Sequence, residues 1–300
     1  VPQTHYEMQI NRDFSLSRIS LRTTRDGTDQ IHKNKMIKTR NITIAFAITL
    51  MAICTSFLQA SAGERFGLRV MSMNIKEGAL YADHKVEPYA ELINEYAPDV
   101  VCLQEVDHFT KRNGNTDFLN ALAQATGMFP YWCKSFTYQG GGFGVALLSK
   151  YPFLKAEKII STIAGSREPR SAGWIYVRLP QGGTVRVATT HLALESSEIT
   201  IRNFVDVNKK IFEQDKLTPT LLIGDYNAEE DSDPIRYVKN TWQEIGEGTG
   251  FTIPSDNPKV KLDYIMGYPK KWKYENYKII ARPDMSDHCF VMADLIYEEN

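Results

Sequence analysis

The chain has 300 residues, of which 43% are hydrophobic, and 35 Lys and Arg stand against 36 Asp and Glu. That length buries a sizeable core in one large domain or two small ones and excludes a chain disordered throughout. The balanced charge excludes the basic excess of a dedicated nucleic-acid binder.

Residues 1–62 read differently from the rest. Met36-Ile37-Lys38-Thr39-Arg40 is a short basic start, Ile42 to Leu58 is an apolar run softened by Thr and Ser, and Ala60-Ser61-Ala62 is a small-x-small cleavage pattern. Together, residues 36–62 have the form of a secretory signal peptide. The run is shorter than the roughly 20 residues a membrane span needs, so cleavage is favoured over an uncleaved anchor. Ile53, immediately before Cys54, argues against lipid modification of that Cys. Residues 1–35, upstream of Met36, read as an overextended start or a disordered leader, and residues 63–300 as a single domain. The expectation is an exported monomer, periplasmic or extracellular, with no stable membrane span after cleavage. Residues 1–62 carry 8 basic and 4 acidic residues, so their removal leaves 27 and 32, a mildly acidic protein. Cys102, Cys133 and Cys289 then remain, an odd number without metal spacing, and read as small buried apolar residues.

Leu68 to Asn74 alternates as a strand does and ends on a polar residue. Val86, Tyr89, Leu92, Ile93 and Tyr96 recur at helical spacing, and Pro98 closes that helix. Asp99 to Gln104 is a continuous apolar run, as in a strand buried on both faces. Phe118 to Thr126 predicts a helix stopped by Gly127. Phe129-Pro130-Tyr131-Trp132 reads as core. Gly140-Gly141-Gly142-Phe143-Gly144 lacks the lysine and following helix of a phosphate-cradling loop, so a close approach between strands is expected there, leading into a buried strand to Ser149. Trp174 to Leu179 and Thr184 to Thr190 form a hairpin about Gly182-Gly183. Glu195 to Leu217 is a long amphipathic helix. Strands at Thr220 to Gly224, Leu262 to Met266 and Phe290 to Ile296 complete the domain, with a short helix near Pro234 to Val238.

Several apolar runs deliver a polar residue at their ends: Met73-Asn74, Leu103-Gln104-Glu105, Thr190-His191-Leu192, Gly224-Asp225-Tyr226-Asn227, Leu262-Asp263-Tyr264-Ile265 and Ser286-Asp287-His288. We read them as one site. With Gly144 to Pro152, these pieces resemble, in order, the endonuclease/exonuclease/phosphatase superfamily, over residues 67–297. That family includes deoxyribonuclease I, exonuclease III, neutral sphingomyelinases and inositol polyphosphate 5-phosphatases. The resemblance implies a deoxyribonuclease I-like α/β (α+β) fold, a four-layer sandwich of two mixed β-sheets flanked by helices, with the site at one end of the sheets.

Phosphate-ester hydrolysis needs a hard cation on a non-bridging oxygen, an activated water in line and donors for the developing charge. Magnesium, with manganese as the alternative, takes oxygen ligands. Glu105 is the leading ligand, with Asn74 and Asp287 as additions. Asp225 and Asn227 alternate at a strand end, so both side chains can point the same way; the resemblance implies that the Asp activates or orients water while the Asn contacts phosphate. His288 pairs with Asp263, and base, proton-transfer and phosphate-stabilising roles stay open. His191 is a second imidazole for the phosphate or the leaving oxygen, and the exonuclease III type typically lacks it. Arg170, in Glu168-Pro169-Arg170, is a phosphate ligand or a surface ion pair, and Asn74 is also a candidate substrate contact. Tyr138 is a weaker substrate-facing candidate.

The expected activity is a divalent-metal-dependent phosphoesterase, with phosphodiesters favoured, acting on nucleic acid, lipid headgroups or small molecules. The alternatives are a noncatalytic binding module that keeps the fold and a phosphomonoesterase of the inositol-phosphatase type. A nuclease needs a basic groove, for which Lys111-Arg112 and Lys270-Lys271-Trp272-Lys273 are short candidates.

Overall fold

In β1 (Arg65–Asn74), Leu68 and Val70 enter one buried cluster and Met71 and Met73 another. Side chains alternate across a strand, so a strand with apolar residues in both alternating sets is covered on both faces. The computed structural model describes residues 65–299; the leader and signal peptide read over residues 1–62 lie outside them.

Eleven further strands follow: β2 (Val100–His108), β3 (Phe129–Tyr138), β4 (Gly141–Ser149), β5 (Phe153–Ser161), β6 (Arg170–Arg178), β7 (Thr184–His191), β8 (Thr220–Asp225), β9 (Gln243–Ile245), β10 (Asp263–Tyr268), β11 (Trp272–Ile280) and β12 (Phe290–Glu298). They form two six-stranded sheets, ordered β11-β12-β1-β2-β4-β3 and β5-β6-β7-β8-β10-β9. In each, one central parallel pair, β1 with β2 or β7 with β8, is flanked by antiparallel neighbours.

Val70, Cys102 and Leu147 of the first sheet pack against Ile175, Val187 and Ile223 of the second. The outer face of the first sheet is covered by α1 (Glu87–Tyr96) and α2 (Phe118–Thr126), whose Leu92, Ile93, Leu119 and Leu122 meet Met71, Met73 and Leu103. α3 (Ser197–Gln214) and α4 (Asp233–Lys239) cover the second, bringing Phe204, Val207, Ile211 and Ile235 onto Trp174, Ala188 and Leu222. The result is the expected deoxyribonuclease I-like four-layer sandwich. No helix among the described residues is long and apolar enough to cross a membrane.

The α2 helix ends as predicted, at Gly127 with φ of 68°. The α3 helix starts later than its amphipathic pattern suggests, because the Ser196 side chain accepts the Ile199 N–H and fixes its start. A Cβ on Gly144 would lie 2.2 Å from the Cys133 carbonyl oxygen, so the glycine run does serve a close approach between strands. Cys102, Cys133 and Cys289 are buried free thiols. Phe129 corrects an expectation: 44% exposed, it opens an edge strand instead of filling core, and Tyr131 and Trp132 are only partly buried.

Candidate active site

The parallel pairs end where the polar clusters lie. Asn74 is in register with Gln104, His191 with Asp225, and Asp225 with Asp263. Gln104 is buried between the sheets, its Nε2 donating to Thr189 Oγ1 at 3.0 Å, and this ties the two sets of strand ends together. Just beyond it the β2–β4 register jumps from Leu103 opposite Ala146 to Val106 opposite Gly144, and Glu105 takes a φ of 58°. A β-bulge of this kind re-aims a side chain. Glu105 is thereby presented to Asn74 Nδ2, which donates to Oε1 at 3.2 Å, and to the Glu77 N–H, which donates to Oε2 at 2.9 Å.

Asn74 also donates to Asp225 Oδ2 at 3.0 Å, and its own Oδ1 accepts the Lys76 N–H at 3.0 Å. Its amide therefore spans the two sheets and fixes the spacing of two carboxylates. Ser286 Oγ donates to the Asn74 carbonyl at 2.7 Å and accepts the His288 N–H at 3.1 Å, which anchors the Ser286-Asp287-His288 loop to the end of β1.

His288 Nδ1 lies 2.9 Å from Asp263 Oδ2. Its Nε2 is 3.8 Å from Asp225 Oδ2, and His191 Nε2 approaches the same oxygen at 3.5 Å. Asp225 Oδ1 accepts the Asn227 N–H at 2.8 Å. Burial disfavours charge on His288, yet Asp263, Asp225 and Asp287 outweigh it and raise its pKa to about 10. Burial, with the cations Arg170, His288 and Lys76, holds His191 well below its usual value, so that ring is neutral. Burial also raises Asp225, to about 7, with Asp263 and Glu105 adding to the effect and His288 opposing it. One charged and one neutral imidazole thus face a single carboxylate.

These groups open into a cleft of about 400 Å³. Of the nine leading candidates in the sequence, Glu105, Arg170, His191, Asp225, Asn227, Asp287 and His288 line it. Asn74 and Asp263 stand behind the lining, each bonded to a residue in it. Arg170 is 5% exposed, with Glu168 at 3.2 Å and no partner for its Nε among the described residues. Tyr138 joins Phe136 and Phe143 on one wall.

Three charged lining residues were not assigned to the site from sequence: Lys76, Glu77 and Arg112. Lys76 Nζ is 3.1 Å from Asp287 Oδ2. Burial opposes its charge, but Glu105, Asp287 and Glu77 more than compensate and raise its pKa. Arg112, read only as part of a short basic pair, donates to both oxygens of buried Asp107 at 2.5 and 3.0 Å and to Glu77 at 2.8 Å. Its guanidinium also lies over the Tyr138 ring, 4.7 Å from the centroid. The available signal was Gly78: a Cβ there would be 2.6 Å from Asp107, which marks a tight approach beside the Met73-Asn74 cluster.

A family model described as the endonuclease/exonuclease/phosphatase family matches residues 71–288. The chain belongs to this family. No curated protein matches it. Among solved structures, an endonuclease/exonuclease/phosphatase protein from Bacteroides vulgatus is similar with a TM-score of 0.66 and 18% identity, covering 78% of this chain and 100% of its own. A mannosyl-6-phosphatase from Bacteroides thetaiotaomicron gives 0.64 and 15%, covering 76% and 99%. The human nocturnin catalytic domain gives 0.61 and 19%, covering 78% and 96%. At these identities the likeness concerns the fold.

Members of the endonuclease/exonuclease/phosphatase family typically use a divalent metal, and the residues present fit one. Each Glu105 oxygen accepts a single hydrogen bond, and buried Asp287 Oδ1 has no partner among the described residues. Both offer hard oxygen donors of the type magnesium takes. Asp225, Asp263 and His288 also bring three donor atoms within 4.8 Å of one another. An ion there would displace the His288–Asp263 hydrogen bond, whereas Glu105 and Asp287 have capacity to spare.

Proposed function

We propose that this protein is an exported, divalent-metal-dependent phosphoesterase that hydrolyses phosphodiester bonds of small molecules or lipid headgroups. The observation that carries the reading is the meeting of His288 Nε2 and His191 Nε2 on one oxygen of Asp225, in a cleft shared with Glu105 and Asp287. Export rests on the signal-peptide pattern of residues 36–62.

A magnesium or manganese ion held by Glu105 and Asp287 would neutralise charge on a non-bridging phosphate oxygen. The rest falls to the chain itself. Asp225, locked by the Asn227 N–H and the Asn74 amide, orients the attacking water. Asp263 fixes the His288 ring, so that Nε2 presents positive charge to the phosphate as negative charge develops. His191, neutral and beside Arg170, is placed to shuttle a proton at the leaving oxygen. The Arg170 Nε–H is a donor for a phosphate oxygen.

The substrate class follows from where the cations are spent. Lys76, Arg112 and Arg170 each face a carboxylate, which suits a singly charged diester better than a doubly charged monoester. The basic pieces read as a nucleic-acid groove are also engaged: Arg112 with Asp107 and Glu77, Lys273 with Glu298, and Lys270 with the Lys239 carbonyl. A phosphomonoesterase is the second reading, favoured by the fold shared with the mannosyl-6-phosphatase.

The test is a panel of bis(p-nitrophenyl) phosphate, p-nitrophenyl phosphate and supercoiled plasmid, each with magnesium and with chelator. Metal-dependent cleavage led by the diester supports the proposal. A preference for the monoester moves the assignment to the second reading, and efficient plasmid nicking makes the protein a nuclease. Fractionation of the producing cells, with the protein retained in the cytoplasm, would contradict export.

A further inference from the structure

The stretch after β1 takes a conformation that L-residues avoid. Lys76, Glu77, Gly78 and Ala79 have φ of 46, 46, 68 and 69°, one turn of left-handed helix. Such a turn crowds each Cβ against the following carbonyl. Strain of this kind persists where its surroundings hold it, and it gathers at functional sites. Here Asn74 Oδ1 accepts the Lys76 N–H, Arg112 holds the Glu77 carboxylate, and Gly78 lies flat against Asp107. The turn delivers two things to the site: the Glu77 N–H on Glu105 Oε2, and the Lys76 ammonium, 3.1 Å from Asp287 Oδ2.

We propose that Lys76 is a built-in cation that occupies Asp287 Oδ2 in place of a second metal, so that the site takes one divalent ion, held by Glu105 with Asp287 Oδ1. The inference rests on the metal-dependent reading above. A two-metal phosphoesterase needs carboxylates to hold a second ion about 3.5–4 Å from the first. An ammonium tethered in the same chain cancels the charge such an ion would neutralise, and the strained turn fixes its position. The one dense donor group among the described residues, Asp225, Asp263 and His288, is closed on itself by the His288–Asp263 hydrogen bond. A second ion therefore has no ready seat while Lys76 is in place.

The experiment is a manganese titration of the whole protein, read by calorimetry and by the electron paramagnetic resonance of free manganese. One ion per chain is expected for the wild type and for Lys76→Arg, which keeps a cation, and two for Lys76→Met. The double variant Lys76→Met with Asp287→Asn should return to one. Two ions in the wild type, one in a folded Lys76→Met, or two retained in the double variant would each overturn the inference. Should Lys76→Met not fold, the counts for wild type and Lys76→Arg decide: one in both supports the proposal, and two in either overturns it. Glu105→Gln tests the underlying reading separately. If it binds manganese as the wild type does, the metal site itself is misassigned, a result distinct from a wrong count.

Discussion

His288 lies in the loop just before β12 of one sheet and Asp263 opens β10 of the other, yet Nδ1 of the first stands 2.9 Å from Oδ2 of the second, with both side chains almost fully buried. That single bond fixes the aim of the imidazolium ring and turns Nε2 toward Asp225. Asp263→Asn keeps the shape of the pair and removes the charge that holds the imidazolium. We expect kcat to fall by about 100-fold or more with KM little changed, since positioned proton-transfer and charge-stabilising groups contribute about 10²–10⁴. Steady-state kinetics on the diester check this; a purely structural role would lower the folded fraction and leave kcat per folded molecule intact.

The same pair makes stability depend on pH. His288 has a pKa raised from 6.5 to about 10, Asp263, Asp225 and Asp287 outweighing the opposing effect of burial. A raised folded pKa means that the folded state holds the proton more tightly, so the contribution is complete below pH 6.5 and is lost as pH rises through about 10. Thermal denaturation in chelator should show the gap between wild type and His288→Gln narrowing across that window. A gap that stays constant or widens would contradict the assignment.

Arg112 clamps the strained turn onto β2 through Asp107, whose side chain is fully buried, and Glu77. Arg112→Ala leaves Asp107 charged and without that partner, and breaking a buried pair of this kind costs about 3–5 kcal/mol. Arg112→Lys is expected to recover only part of the loss, because a point charge cannot reproduce the forked contact. Denaturant unfolding measures both variants. Manganese affinity of whatever remains folded should also weaken, since Glu77 N–H positions Glu105.

Gly173 of β6 faces Cys133 across the sandwich, and a Cβ there would sit 1.9 Å from the Cys133 sulfur. Gly173→Ala should destabilise by about 1–3 kcal/mol through overpacking. Combining it with Cys133→Ala should recover part of that loss, a non-additivity that a double-mutant cycle in urea would detect.

The residues read from sequence were those whose surroundings are uniform along the chain. Central strands such as β2 and β8, buried on both faces, announce themselves as apolar runs, and the polar residues ending them stand out by contrast. The four strands left unread, β3, β5, β9 and β11, are the four sheet edges. The β11 strand shows why, with Lys273, Tyr274, Glu275 and Asn276 exposed in succession, so no period survives in its sequence. Site residues followed the same division. Glu105 follows one readable apolar run and Asp263 opens another, while Lys76 and Arg112 gain their meaning from a left-handed turn and from a partner 35 residues away. Neither relationship leaves a local pattern beyond a glycine.

The most direct test of the account is magnesium-dependent hydrolysis of bis(p-nitrophenyl) phosphate by wild type beside His288→Ala and Asp225→Asn, each shown to be folded by circular dichroism. Turnover in the wild type that chelator abolishes, reduced about 100-fold or more in both variants, is what the convergence of these side chains predicts. Equal rates in wild type and variants, or turnover that survives chelation, would contradict the claim that this cleft is a metal-dependent phosphoesterase site.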